Sequence, residues 1–205
     1  MNMIYNKALS VALGAVITLG FAPSSHAVPL GGLTKDLGRS ATIQLIAVSK
    51  QTLAPYAHVR FCVQNPDDCE VRNSQEGGIV ELTPAKKLEL QRINRLVNRS
   101  MRPENDDPGN DVWKVGGTTG DCEDYALTKR RRLVEAGWPS QALRLVVART
   151  SEGEGHAVLA VATSDGDLIL DNRTVAIKEW RRTDLRMLKI QSGENPRQWF
   201  DVGRR

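Results

Sequence analysis

Two apolar runs, residues 157–163 (AVLAVAT) and 168–170 (LIL), are separated only by Ser164-Asp165-Gly166-Asp167. An Asp-Gly pair tolerates the positive φ of a tight turn, so the flanking strands must fold back as an antiparallel hairpin. A third strand-like run, residues 143–149, precedes them. Upstream the period changes. Thr83-Pro84 supplies a capping side chain and a proline where a helix can begin. Leu90, Ile93, Leu96, Val97 and Met101 then recur at helical spacing, predicting an amphipathic helix from Pro84 to about Arg99. A second helix is predicted from about Cys122 to Ala136, stopped by Gly137 and Pro139. Helices first and antiparallel strands afterwards make an α+β domain.

The remaining segments fit around this frame. Residues 41–49 are apolar enough for a strand near the domain edge, and residues 74–78 read as a polar loop. Residues 102–120 are rich in Pro, Gly, Asp, Asn and Thr, with one large apolar anchor, Trp113, which argues for an ordered loop. Trp180, Leu185, Leu188, Ile190 and Trp199 give the tail enough apolar surface to pack back on the core.

The chain has 205 residues. Lys7 followed by the apolar stretch 8–21, Pro23 and Ser25-His26-Ala27 reads as a cleavable signal peptide, residues 1–27. The apolar stretch falls short of the roughly 20 residues that span a bilayer. The expected product is one exported domain, residues 28–205, periplasmic and without a transmembrane span. Lys7 is the one charged residue removed, which leaves 27 Lys and Arg against 24 Asp and Glu, a net charge of +3. That mild excess, with one basic run, Lys129-Arg130-Arg131-Arg132, reads as a solvated helix face and excludes a nucleic-acid partner.

Three cysteines in an oxidising compartment leave one unpaired. Cys62 and Cys69 flank the turn-forming residues of FCVQNPDDC, so a disulfide is the preferred reading; a zinc site with His58 is the alternative, although no fourth ligand is evident. Cys122 remains, in GDCEDYA, residues 120–126. It falls on the first turn of its helix, where unpaired N–H groups and the positive end of the macrodipole favour a thiolate. Asp121 is placed as N-cap, with Asp124 able to reach back to the cap. A thiol nucleophile needs a base, and after residue 27 the chain has only His58 and His156. A hairpin turning at Asp165-Gly166 pairs Asp171 with Ala160, while a four-residue turn from Thr163 to Gly166 pairs it with Val158. In either register His156 and Asp171 point to one side. That suits a Cys-His-Asp arrangement for acyl transfer.

GDCEDYA with Lys129 and Leu133, then His156-Ala157-Val158-Leu159 and Leu170-Asp171-Asn172, resembles the bacterial transglutaminase-like cysteine proteinases, the group that includes the LapG-type periplasmic proteases. The similarity takes in Asp111 and Trp113 and covers roughly residues 83–190. It implies a papain-like or transglutaminase-like α+β fold, its nucleophile at a helix N-terminus packed against an antiparallel sheet. Cys122 would be the nucleophile, His156 the general base and later acid, and Asp171 the residue that orients it. The Cys122 backbone N–H would meet the oxyanion, with help from Trp113. Calcium binding in that group maps to Asp121 and Glu123; the chemistry itself requires no cofactor. The implied substrate is a protein, for the LapG branch a surface adhesin in biofilm retention, with a membrane-bound regulatory protein as a further partner. Acyl transfer to an amine or cell-wall component, and a non-catalytic metal- or partner-binding module of the same fold, stand as alternatives.

Overall fold

The computed structural model describes residues 43–74, 78–107 and 109–203. The expected signal peptide, residues 1–27, lies outside the described residues, as do residues 75–77 of the expected polar loop. In chain order the elements are β1 (Val48–Thr52), α1 (Tyr56–Gln64), α2 (Pro84–Ser100), β2 (Arg102–Pro103), β3 (Thr119–Gly120), α3 (Cys122–Glu135), β4 (Leu143–Arg149), β5 (Gly155–Thr163), β6 (Gly166–Leu170), β7 (Lys178–Glu179), β8 (Arg186–Gln191) and β9 (Trp199–Val202). Seven of the strands form one sheet in the order β1-β9-β8-β4-β5-β6-β7, every pairing antiparallel. The short β2 and β3 pair in parallel beside it.

The period of two in β4 and β5 divides the apolar side chains between two clusters. Leu143, Leu145, Leu159 and Val161 join Leu90, Ile93 and Val97 of α2 and Tyr125 and Leu133 of α3. Val146, Ala148, Val158 and Ala160 join Ile46, Trp180, Leu185, Met187 and Ile190. Each Leu, Ile, Val or Met among them contributes about 1.5–3 kcal/mol when fully buried, and the first cluster is what holds the helices to the sheet. The Thr83 hydroxyl caps α2 by accepting from the Lys86 N–H at 3.3 Å.

Three local expectations are corrected. The edge strand is β1, which begins at Val48 and so shares only Val48 and Ser49 with the expected run 41–49, of which residues 41–42 lie outside the described residues. Residues 43–47 are a strap whose backbone bonds go to scattered partners: Ile46 N–H to the Asp167 carboxylate at 2.6 Å, Asp167 N–H to Gln44 O at 3.2 Å, and Gly203 N–H to Ala47 O at 2.8 Å. The run 129–132 is not a solvated face, because α3 is enclosed by its neighbours: Lys129 and Arg130 are buried, Arg131 is half-buried and only Arg132 is exposed. Arg130 donates to Leu143 O and Asp68 O, and Arg131 pairs with the Asp68 carboxylate, so the run ties α3 to the turn before Cys69. Leu96, counted on the buried face of α2, is exposed.

The hairpin takes the second of the two registers. Thr163 pairs with Gly166 and Leu159 with Leu170, which sets Asp171 opposite Val158. Gly166 has φ +99°, the left-handed backbone that the turn demands.

Candidate active site

Cys122 opens α3, and the preceding loop is laced to that helix. Lys114 N–H donates to Asp124 Oδ1 at 2.8 Å, Gly116 N–H to Thr128 Oγ1 at 2.8 Å, and the Tyr125 hydroxyl to Met101 O at 2.8 Å. Trp113 is buried, as its anchoring role demands. Asp121 occupies the N-cap position but its carboxylate makes no cap hydrogen bond. Asp124 does not reach back either: Lys114 offers it a backbone donor and an ammonium group at 3.4 Å. Burial still raises the Asp124 carboxyl to about 6, against the pull of those two Lys114 contacts.

The Cys122 thiol donates to Glu123 Oε2 at 3.1 Å, and the Ala157 backbone N–H donates to its sulfur at 3.3 Å. Burial, then the charge of Glu123, push the thiol pKa up; the Ala157 N–H pulls it down. Burial also lifts Glu123 to about 9, aided by the carboxyl groups of Asp111 and Asp121. Ligand oxygens of Asp106, Asp121 and Glu123 lie within 4.8 Å of one another, and Asp121 Oδ1 has no hydrogen-bond partner. Crowded carboxylates with an orphaned buried oxygen are a hard donor set of the kind that holds calcium. Sequence reasoning named Asp121 and Glu123 but missed Asp106, which lies in a loop without a motif.

His156 enters from the start of β5 and Asp171 from the end of β6. His156 Nε2 and Asp171 Oδ1 are 3.0 Å apart, both residues buried. This bond leaves His156 Nδ1 for the cleft, where Cys122 and His156 share two adjoining hollows. One, of about 530 Å³, is walled by Asp106, Asp111, Glu154, Asn172 and Arg173. The other, of about 370 Å³, is walled by Pro55, Trp113, Val147 and Ala157. Among the described residues no hydrogen bond joins Cys122 to His156; the thiol is engaged by Glu123 instead.

Cys62 and Cys69 form a disulfide, with Cα atoms 5.5 Å apart, so their sulfurs are not zinc ligands. Cys122 is the free cysteine. His58 is packed between Trp113 and Trp199 and lines neither of these hollows.

Residues 48–205 match the family described as bacterial transglutaminase-like cysteine proteinase, BTLCP. The chain belongs to that family. Among solved structures this cysteine proteinase is similar to Legionella pneumophila LapG in a calcium-bound form, with TM-score 0.51 and 28% identity over 60% of this chain and 74% of that one. A second LapG structure aligns with TM-score 0.50 and 29% identity over 60% and 71% of the two chains. EGTA-treated LapG aligns with TM-score 0.50 and 30% identity over 58% and 69%. Among curated proteins none matches. The proteinase has the transglutaminase-like α+β fold and is a cysteine peptidase acting on protein. No helix among its described residues is long and apolar enough to cross a membrane.

Proposed function

We propose that this cysteine peptidase cleaves a periplasmic or cell-surface protein through a Cys122-His156-Asp171 triad. The observation that carries the reading is the buried 3.0 Å contact between His156 and Asp171 in a cleft that also contains the helix-opening Cys122. His156 takes the thiol proton as sulfur attacks the scissile carbonyl carbon, then delivers it to the departing amine as the C–N bond breaks. Water, deprotonated by His156, attacks the thioester, and the thiol returns with the acid product. The Cys122 backbone N–H, at the unpaired start of α3, faces the developing oxyanion, with Trp113 forming the neighbouring wall. Asp171 keeps the imidazole aligned; its carboxyl is held well below the usual range, because the bonds from His156 and Arg173 outweigh the effect of burial.

Asp106, Asp121 and Glu123 are the residues that would hold a calcium ion. When bound, it supplies positive charge beside the carboxylates that now favour the protonated thiol. The calcium-bound LapG relative supports this assignment. The resemblance to LapG-type proteases extends the proposal to a surface adhesin as substrate, a membrane-bound regulator as partner and a role in biofilm retention. Export after removal of residues 1–27, leaving a single domain of residues 28–205, completes the reading.

The test compares cell-surface and secreted proteins from strains expressing wild type or Cys122→Ala, with calcium and with EGTA. Fragments that require Cys122 and calcium, from an enzyme whose N-terminus is Val28, are the expected result. Fragments unchanged in Cys122→Ala overturn the peptidase, and EGTA-insensitive cleavage retires the calcium site. Mass analysis with a competing amine separates hydrolysis from acyl transfer, since transfer leaves an amide adduct in place of a free acid.

A further inference from the structure

Asp171 is served by more than its histidine. Its Oδ1 accepts from His156 Nε2 at 3.0 Å and from the Arg173 backbone N–H at 2.9 Å. Its Oδ2 accepts from Arg173 Nε at 3.0 Å and from one terminal guanidinium nitrogen at 2.8 Å. The same guanidinium extends to Asp184, just before β8, with contacts of 3.0 and 2.9 Å. The backbone of this turn is held separately, from α2: Asn98 Nδ2 donates to Asp171 O at 2.9 Å and to Thr174 O at 3.0 Å.

We propose that Arg173 is a positioning residue for the reaction, clamping the Asp171 carboxylate toward His156 and itself clamped by Asp184. The inference rests on the triad reading above and adds a residue to it. A carboxylate with one oxygen shared by an imidazole and an amide, and the other engaged by a planar fork, has no freedom left about its terminal torsion. Arginine is required by the shape of the site, because two carboxylates are bridged by one flat group carrying five donors, which a lysine ammonium cannot reproduce. Arg173 is not a substrate reader: its fork is already committed to two carboxylates.

A second cation clarifies the division of labour. Lys129 of α3 is fully buried, its Nζ has no hydrogen-bond partner, and the charge of Asp171 acts on it without a bond between them. Removing Arg173 therefore leaves this unbonded interaction in place but removes the geometry. The expected loss is in turnover, because misplacing a catalytic group by about 1 Å costs on the order of 10²-fold.

The experiment uses the chain from Val28 and a fluorogenic peptide that wild type selects from a mixture library, with calcium present. Arg173→Gln lowers kcat about 100-fold with KM within about twofold, Asp184→Asn lowers it less because its ion pair is half exposed, and Arg173→Lys recovers only part of the loss. Thermal unfolding of each variant stays near wild type, since Asn98 still holds the turn. Proton-nitrogen NMR of the histidine rings reads the clamp without any substrate: the protected His156 Nε2–H signal broadens or disappears in Arg173→Gln. An unchanged kcat and ring signal overturn the proposal, as does full recovery by Arg173→Lys, which would make charge sufficient. A turnover loss matched by collapse of the unfolding midpoint in both Arg173 variants also overturns it. Wild type that cleaves no peptide removes the peptidase reading and the catalytic role with it; the ring signal then shows whether the clamp itself exists.

Discussion

Acid should weaken this protein through His58. The ring is 1% exposed, and each of its nitrogens faces an N–H donor: Trp199 Nε1 lies 3.3 Å from Nδ1, and Gln191 Nε2 lies 3.2 Å from Nε2. Gln191 is fixed in that orientation, because its Oε1 accepts from Leu145 N–H and its Nε2 donates to Pro196 O. A neutral ring has a single acceptor nitrogen, which can take one of these donors; protonation removes that acceptor and sets both ring N–H groups against donors. Burial first, then repulsion from Arg130 and Arg197, lowers the His58 pKa from 6.5 to about 4. The unfolded chain therefore takes up the proton before the folded one. Stability is complete above pH 6.5 and is lost as pH falls toward 4, by about 1.4 kcal/mol per pH unit and about 3.4 kcal/mol in all. That is a large part of the 5–15 kcal/mol typical of a domain. Asp124 and Glu123, raised to about 6 and about 9, work in the opposite direction, since their folded forms hold protons more tightly and stabilise as pH falls. The assay is therefore a difference: urea unfolding of wild type and His58→Gln from pH 7.5 to 4.5, in which the carboxyl contributions cancel. The advantage of wild type over the variant should shrink with the slope given. A flat difference across that range, or a His58 ring resonance that titrates above pH 6, refutes the reasoning.

Lys129→Met should stabilise the fold, because the buried amine, lowered from 10.5 to about 7, is held without a partner. The gain, about 1–4 kcal/mol at pH 7, should vanish near pH 10.5, where the unfolded chain also loses the proton; urea unfolding at both pH values checks it. Gly120→Ala should destabilise by about 1–3 kcal/mol, since a Cβ there would lie 2.5 Å from Asp124 Oδ2 and 3.0 Å from Met101 Cε, and the unfolding midpoint reads it directly. The Cys62–Cys69 bridge closes a short loop worth about 2.5 kcal/mol in chain entropy, and both sulfurs are buried. Dithiothreitol should therefore reduce it on the timescale of unfolding, as measured by mass after alkylation, and leave a less stable protein.

The parts of the fold written in periodic side chains were legible. The apolar spacing from Leu90 to Met101 marks α2, and the Asp-Gly turn marks the β5–β6 hairpin, because each signal is local and has one cheap conformation. The bounds of α2, α3 and β4 fall within a residue or two of expectation. What sequence did not disclose depends on partners far along the chain. β1 is a strand because β9 pairs with it across some 150 residues, although four of its five residues are exposed and no apolar run announces them. The basic run on α3 looks like a solvated face until Asp68 and Leu143 are brought against it. Arg173 carries no motif at all. It gains meaning only once the hairpin register has put Asp171 beside His156 and the following turn has brought Asp184 within reach of its fork.

The cysteine among acids also resolves into opposing influences with different origins. Burial and Glu123 keep the proton on Cys122 sulfur, while the start of α3 and the Ala157 N–H favour its loss. The second pair is backbone, fixed by the helix and by the first residues of β5, and no ligand alters it. The Glu123 contribution, by contrast, belongs to a carboxylate grouped with Asp106 and Asp121, and positive charge placed among these three weakens it. A cation therefore changes only one side of the balance, without requiring any element to move. Asp124, two residues from the thiol, is instead held by the Lys114 backbone N–H and ammonium group and stands outside this group of three, so it does not serve the same end. Of the three acids flanking the thiol, only the two facing the cleft leave the nucleophile open to control.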